Sequence, residues 1–112
     1  MNRRALLEAI RVLKTIPQNR FNMHRFAVPT DCGTVGCIAG HCAQDPWFQE
    51  RGFKLTEYRP YIPEHEHEVG RYAITNFFDL STAQTNLIFY TDNYSTPTPQ
   101  VAIKTIESLL AQ

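Results

Sequence analysis

Signals that start helices recur along this chain of 112 residues. In Asp45-Pro46 and Thr98-Pro99, a residue that can cap a helix precedes a proline, which suits the first helical position because no amide donor is needed there. Ser81-Thr82-Ala83-Gln84 is a capping box, in which the serine and the glutamine each satisfy one amide of the first turn. These signals predict one helix from Pro46 to Arg51, one that ends near Tyr90, and one that closes the chain.

The N-terminal segment is amphipathic. Between Arg4 and Ile16 the apolar residues follow helical spacing; they are Ala5, Leu6, Ala9, Ile10, Leu13 and Ile16. The other side carries Arg4, Glu8, Arg11 and Lys14, with Leu7 among them. The pattern predicts a helix that Pro17 ends, because proline cannot donate to the helical ladder.

Two further helices are predicted in the interior of the chain. Thr34 can cap a short helix over about Val35 to Ala43. Pro63 opens a longer helix, which carries glutamates in its first turns and runs to about Phe78. Apolar side chains cover more than half of that helix, so it is predicted to be the most buried one; they are Val69, Tyr72, Ala73, Ile74, Phe77 and Phe78.

The fold class predicted from these elements is mainly α. We expect a single domain over residues 1–112, built as a compact bundle of about five helices. Phe53 and Leu55 alternate with polar residues, which predicts one short strand or hairpin near 53–62. The predicted core collects residues from the centres of the apolar faces; they are Phe77, Ile10, Leu13, Ile106 and Leu110.

Cysteine content and charge indicate the cellular compartment and the kind of partner. The three cysteines are an odd number and fall within eleven residues, which favours a reducing cytoplasm over a disulfide framework. No apolar run approaches the ~20 residues that a membrane span needs, and charged residues interrupt any signal peptide. The net charge is zero, yet residues 1–25 hold six Lys or Arg against one Glu. A neutral total disfavours a strongly basic nucleic-acid binder.

The segment around the cysteines allows a thiol site. With Thr34 as cap, Cys37 occupies the third helical position, where free amides favour a thiolate, and His41 follows one turn later. Asp31 is the candidate that orients the imidazole in such a catalytic group. We nevertheless expect the turn from Cys32 to Gly40 to be primarily structural: Gly33 relaxes the backbone, while Gly36 and Gly40 let a neighbouring element approach closely.

Two metal sites are also conceivable, although the sequence predicts no bound metal. Cys32, Cys37 and His41 could bind zinc with Cys42 or His24 as the fourth ligand, but the cysteine spacing is not a familiar zinc pattern. Glu64-His65-Glu66-His67-Glu68 contains ligand types for divalent ions. Residues two apart do not share a helical face, so a solvated helix start explains this run better.

Basic and aromatic side chains are the candidate binding groups. Arg4, Arg11 and Lys14 form a basic stripe that could follow a phosphate backbone, although such a stripe is usually the solvated face of a helix. Tyr58 and Tyr61 could stack on bases. Together with Trp47 they are also aromatics of the kind that protein interfaces favour.

Three motifs stand out along the chain. They are Phe21-Asn22-Met23, Cys32-Gly33-Thr34-Val35-Gly36-Cys37-Ile38-Ala39-Gly40, and Leu80-Ser81-Thr82-Ala83-Gln84 with Phe89. In this combination the chain resembles, over nearly its whole length, a set of short phage and bacterial proteins that have no established activity. In those proteins tryptophan often follows the second motif, whereas this chain has His41. The resemblance implies a helical domain of phage or bacterial origin and assigns no catalytic residue.

The sequence favours a binding protein over an enzyme. It contains no Gly-rich phosphate loop, no Gly-x-Ser-x-Gly elbow and no His-Glu-x-x-His motif. We expect a phage or bacterial accessory protein, host-directed or defence-blocking, that binds a cellular protein in the cytoplasm of the bacterial or infected cell without a cofactor. A thiol-dependent enzyme built on Cys37 and His41, and nucleic-acid contact through the basic N-terminal helix, are the alternatives.

Overall fold

A computed structural model describes residues 1–22, 28–30, 33–35, 37–56, 59–61, 70–90 and 98–112; at 28–30, 33–35, 56 and 59–61 it describes the backbone only. Within these ranges the fold is mainly α, as predicted, with six α-helices rather than about five. The helices are α1 (Arg3–Leu13), α2 (Ile38–Cys42), α3 (Pro46–Glu50), α4 (Arg71–Phe78), α5 (Thr82–Phe89) and α6 (Pro99–Leu110). A 3₁₀ turn, Gln18–Arg20, follows α1.

Two short antiparallel hairpins complete the described structure. One pairs β3 (Lys54–Thr56) with β4 (Arg59–Tyr61), which confirms the hairpin predicted near 53–62. The other pairs β1 (Val28–Thr30) with β2 (Gly33–Val35) and was not predicted.

The β1–β2 hairpin corrects the prediction for the segment around the cysteines. Thr34 lies opposite Pro29 in the ladder, so it is a strand residue and not a helix cap. The predicted helix over Val35 to Ala43 is therefore wrong at its start: α2 begins at Ile38, with Cys37 in the capping position. Pairing of β2 with β1 provides hydrogen-bond partners for the backbone of this segment. A cap is predicted from a few neighbouring residues, which do not show that a second strand is present.

The predicted caps of three helices are confirmed. The Asp45 carboxylate accepts from the amide of Trp47 at 3.0 Å, and the Thr98 hydroxyl accepts from the amide of Val101 at 3.2 Å. Both bonds of the capping box before α5 are present: Gln84 N to Ser81 Oγ is 3.1 Å, and Ser81 N to Gln84 Oε1 is 2.9 Å.

Replacing Ser81 with alanine should lower the free energy of unfolding by about 1 kcal/mol, because an amide of the first turn of α5 loses its acceptor. Urea denaturation measures this difference. Ser81→Asp is the matched control, since aspartate also accepts from these amides and should retain most of the stability. Equal stability of the alanine and aspartate variants would show that this cap contributes nothing.

The start of α4 differs from the prediction. Gly70 has φ 59° and ψ −124°, a conformation that residues with a Cβ avoid, so no helix runs through it from Pro63. The helix instead begins at Arg71, and it ends at Phe78 as expected. Residues 62–69, which hold the predicted helix start and the Glu64-His65-Glu66-His67-Glu68 run, lie outside the described residues.

The core forms where α1 packs against α2, α4 and α6. Of the predicted core residues, Ile10, Leu13 and Ile106 are buried together, while Phe77 and Leu110 are only partly buried at the margin. The centre is an aromatic cluster of Phe48, Phe53, Phe78 and Phe89, all 0 to 2% exposed.

Two residues on α4 were assigned to the wrong environment. Phe78 is fully buried, so it, and not Phe77, is the deepest aromatic of this helix. Tyr72 is 70% exposed, although it was counted in the apolar face. Helical spacing explains both, because Ile74 and Phe78 are four apart and share the face toward the core, whereas Tyr72 lies on another side.

Candidate functional site

Cys37 lies in the core and not on the surface. Its side chain is 2% exposed, at the position that caps α2. Burial raises the pKa of the Cys37 thiol to about 11, although the amides of Gly40 and Ala39 lower it in part. The predicted third helical position is wrong because the helix begins one residue after Cys37. At neutral pH the group is a neutral thiol, which is a poor nucleophile.

Cys42 is buried as well. Its side chain is fully shielded from solvent, and burial raises the pKa of its thiol well above the ordinary value. Cys37 and Cys42 are both free. Cys32 and the proposed orienting residue Asp31 lie outside the described residues.

His41 turns away from the core toward the surface. Its Nε2 lies 2.7 Å from the backbone oxygen of Arg20. Because a carbonyl oxygen only accepts, Nε2 carries the proton and donates it in this bond. The bond ties α2 to the 3₁₀ turn, 21 residues away in sequence, and holds the imidazole at the wall of a surface cavity. The structure therefore places Cys37 and His41 in different environments, one in the core and the other beside solvent.

The cavity beside His41 has a volume of about 210 Å³. It lies where α1 ends, between the 3₁₀ turn, the end of α2 and the start of α3. Its polar lining residues are Thr15, Arg20, His41, Gln44 and Asp45, and its apolar ones are Val12, Ile16, Pro17 and Pro46.

The described residues contain no cluster of three or more His, Cys, Asp or Glu side chains that could hold a metal ion. Of the candidate zinc ligands, Cys37 lies in the core and His41 lines the surface cavity. Cys32 and His24 lie outside the described residues. The described part of the chain thus offers no metal centre.

A second surface joins α1 to α3. We call it the α1–α3 face; its side chains are Arg4, Leu7 and Arg11 of α1, Trp47 of α3, and Arg51, which follows the last residue of α3. The Arg51 guanidinium lies 4.1 Å from the centroid of the Trp47 ring, and that of Arg4 lies 5.8 Å from it. Spacings of three and four residues put Leu7 between Arg4 and Arg11 on the same side of α1. Leu7 is 54% exposed.

Acidic side chains lie beneath the arginines of this face. Arg11 binds the Asp45 carboxylate through Nη1 and Nη2 at 3.2 and 2.7 Å. Glu8 accepts from Arg4 and Arg11, and the Arg11 hydrogen bond is the main cause that lowers the pKa of this carboxyl. The hydrogen bond to Asp45, followed by that to Glu8, raises the pKa of Arg11. The two carboxylates are 14 and 15% exposed, whereas the arginines reach solvent.

The α1–α3 face contains three of the six predicted binding residues: Arg4, Arg11 and Trp47. Lys14 is exposed just past the end of α1. Tyr58 lies outside the described residues, and for Tyr61 only the backbone in β4 is described. Leu7 and Arg51 were missed as members of the face. The signal for Leu7 was its position among charged residues, where a leucine is not needed for the core.

No protein-family model, curated protein or solved structure matches this chain. Among the described residues, no helix combines the length and the apolar character that a membrane crossing requires.

Proposed function

We propose that this protein acts by binding another protein through the α1–α3 face. The observation that supports this most is the combination of an exposed leucine with a tryptophan flanked by two arginines. Trp and Arg dominate the binding energy of many interfaces, and an apolar side chain at the centre gains from being covered. The aromatic ring is already fixed by packing edge-on against Phe48, with centroids 4.9 Å apart, so little side-chain entropy is lost on binding.

The thiol-enzyme alternative finds less support. It requires a Cys37 thiolate that a substrate can reach, but the side chain is 2% exposed and burial raises its pKa to about 11. His41, the partner in that mechanism, donates to a backbone oxygen and lines a cavity that does not include Cys37.

Nucleic-acid contact is also the weaker reading of the basic stripe. Arg4 and Arg11 share the Glu8 carboxylate, and Arg11 also binds Asp45. Phosphate contact gains affinity from uncompensated cations that release counterions. Charges that are largely neutralised within the face, in a chain with zero net charge, suit a protein partner better.

The cellular setting follows from the sequence resemblance. The proposed partner is a bacterial protein, met in the cytoplasm of the bacterium or the phage-infected cell. A protein of this size with one binding face suits the role of an accessory factor that blocks or redirects a host component.

Photocrosslinking at Leu7 tests the proposal. With p-benzoylphenylalanine in place of Leu7, the protein should give a discrete crosslinked product in bacterial lysate at physiological salt. The same residue in place of Tyr72 is the control, because Tyr72 is more accessible than Leu7, at 70% against 54% exposed, but lies on α4. Leu7→Asp should abolish co-purification of the crosslinked partner and leave the melting temperature within about 2 °C, since the side chain contributes little to the core. Equal products from both positions, or none from position 7, would contradict the proposal.

A further inference from the structure

We propose that the segment of the partner that covers the α1–α3 face is acidic, with Asp or Glu side chains on both sides of an apolar residue that packs on Leu7. This proposal rests on the protein-binding role and adds the chemistry of the partner. Three features of the face support it: the cations around the exposed leucine, the shielded position of the carboxylates, and the hydrogen-bond donors that two of the arginines do not use within the chain.

Leu7 is surrounded by cations along α1. Arg3 and Arg4 precede it by four and three residues, and all three side chains are exposed. Arg11 and Lys14 follow the leucine by four and seven residues and are exposed as well. These spacings put the four cations on the same side of the helix as the leucine, in a stripe about 16 Å long. A partner that covers Leu7 therefore meets positive charge on both sides of it.

The carboxylates beside this stripe are largely shielded from solvent. The side chains of Glu8 and Asp45 are 14 and 15% exposed, whereas that of Arg4 is 69% exposed. Among the described residues, Arg3 and Lys14 have no carboxylate partner. The outer layer of the face is therefore positive, although the whole chain carries no net charge. Like charges on a partner would be repelled there, and carboxylates would be attracted.

Arg4 retains donors for a carboxylate of the partner. Its Nε donates to Glu8 at 3.0 Å, and its guanidinium lies 5.8 Å from the centroid of the Trp47 ring. This side chain makes no other hydrogen bond within the described part of the chain, so Nη1 and Nη2 remain for a ligand. Arg11 differs, because it already uses Nε for Glu8 and both Nη atoms for Asp45.

Arg51 is the second arginine with donors to spare. Its Nη1 donates to the backbone oxygen of Trp47 at 2.9 Å, and no other hydrogen bond joins its side chain to a described residue. The same Nη1 lies 3.7 Å from a carboxylate oxygen of Glu50, but the Glu50 side chain is 75% exposed, and such a surface pair contributes little. Arg4 and Arg51 are therefore the groups that pair with carboxylates of the partner.

An acidic protein segment matches the face better than a nucleic acid does. A base would stack on the Trp47 ring, but the Arg51 guanidinium already lies over that ring, 4.1 Å from its centroid. A phosphate backbone also offers no apolar group to cover Leu7, which is 54% exposed. An apolar side chain flanked by Asp or Glu covers the leucine and pairs with the surrounding cations at the same time.

Mapping the crosslink from position 7 tests the proposal. The product formed in bacterial lysate by the chain with p-benzoylphenylalanine in place of Leu7 is digested, and the attached partner peptide is sequenced by mass spectrometry. We expect Asp or Glu within about four residues on both sides of the crosslinked residue, since those positions reach the flanking cations. Nuclease treatment of the lysate should leave the yield unchanged.

The outcomes separate this proposal from the protein-binding role. A crosslinked segment that is neutral or basic would overturn the acidic partner and leave the protein-binding role intact. A product that disappears on nuclease treatment would overturn it in favour of a nucleic acid. The absence of any product from position 7 would contradict the protein-binding role itself, and the acidic partner with it.

Salt and charge variants provide a second measurement. Raising NaCl from about 0.15 M to about 0.5 M should lower the crosslink yield by about threefold or more, because salt screens exposed charge pairs. Arg4→Gln combined with Lys14→Gln should lower it to a similar extent at physiological salt. The control is Lys54→Gln combined with Lys104→Gln, which removes two exposed charges from β3 and α6 and should leave the yield unchanged. Equal yields from the two double variants, or a yield that salt does not lower, would overturn the acidic partner, and the salt series needs neither double variant to fold.

Discussion

Replacing Phe78 with alanine should lower the free energy of unfolding by about 3 to 5 kcal/mol, which is a large part of the 5 to 15 kcal/mol typical of a domain. Phe78 is fully buried, and its ring centroid lies 5.0 Å from that of Phe89, 5.8 Å from Phe53 and 5.9 Å from Phe48. Removing the ring leaves a cavity among side chains that come from α3, α5 and the segment before β3. Urea denaturation measures the loss.

Two further variants provide comparisons for Phe78→Ala. Phe77→Ala should cost clearly less than Phe78→Ala, because Phe77 is only partly buried at the margin of the core. Tyr72→Ala should change the stability by no more than about 0.5 kcal/mol, because the tyrosine is exposed. If Phe78→Ala does not fold, Phe78→Leu, which keeps much of the volume, still ranks the position. A larger loss at position 77 than at 78 would mean that the deepest aromatic has been misidentified.

Cys37 should resist alkylation in the native protein. A rise of its pKa from an ordinary value of 9.0 to about 11 lowers the thiolate fraction at pH 7 about a hundredfold. Burial also keeps the reagent from reaching the thiol, which slows the reaction beyond the effect of the pKa. Mass spectrometry after brief treatment with iodoacetamide should therefore find Cys37 and Cys42 unmodified, whereas both should react quickly in urea.

Selective modification of native Cys37 would contradict this prediction and restore the thiol-enzyme hypothesis. The comparison with urea provides the control, since it shows that each thiol is reactive once it is exposed. Cys37→Ala should retain the proposed protein binding, because this side chain is buried and does not belong to the α1–α3 face.

The described end of the cysteine segment, from Cys37 to Gly40, is packed in the core. In the run Cys37-Ile38-Ala39-Gly40 all four residues are buried, and α2 packs against α1. Because glycine reduces helix stability, we predict that Gly40 is needed where a neighbouring element comes close to the backbone of α2. His41 follows this run and lines the cavity.

Asp45 connects the α1–α3 face with the cavity beside His41. Its carboxylate caps α3, binds Arg11 of the α1–α3 face and lines the cavity. The same ion pair holds a wall of the cavity and orients an arginine of the face. Because Asp45 has both roles, Leu7 is the better position at which to test the α1–α3 face.

The sequence predicted the helix ends that depend on local chemistry. The caps at Asp45, Ser81 and Thr98 were found at their predicted places, because each joins a side chain to an amide at most three residues away. The periodicity of α1 predicted its buried side for the same reason, although the helix ends at Leu13, before Pro17. The sequence also pointed to Arg4, Arg11 and Trp47 as binding residues, but as separate features.

Long-range packing determined the features that the sequence did not predict. The pairing of Thr34 with Pro29 replaced a plausible helix cap. Phe77 and Phe78 both contact Phe48 and Phe53, and Phe78 also packs against Phe89 of α5, where it is fully buried. The imidazole of His41 donates a hydrogen bond to the backbone oxygen of Arg20, 21 residues earlier in the chain, whereas Cys37 lies in the core. Local patterns do not contain these outcomes, because the free energy of burial and of a distant hydrogen bond depends on which other elements are brought alongside.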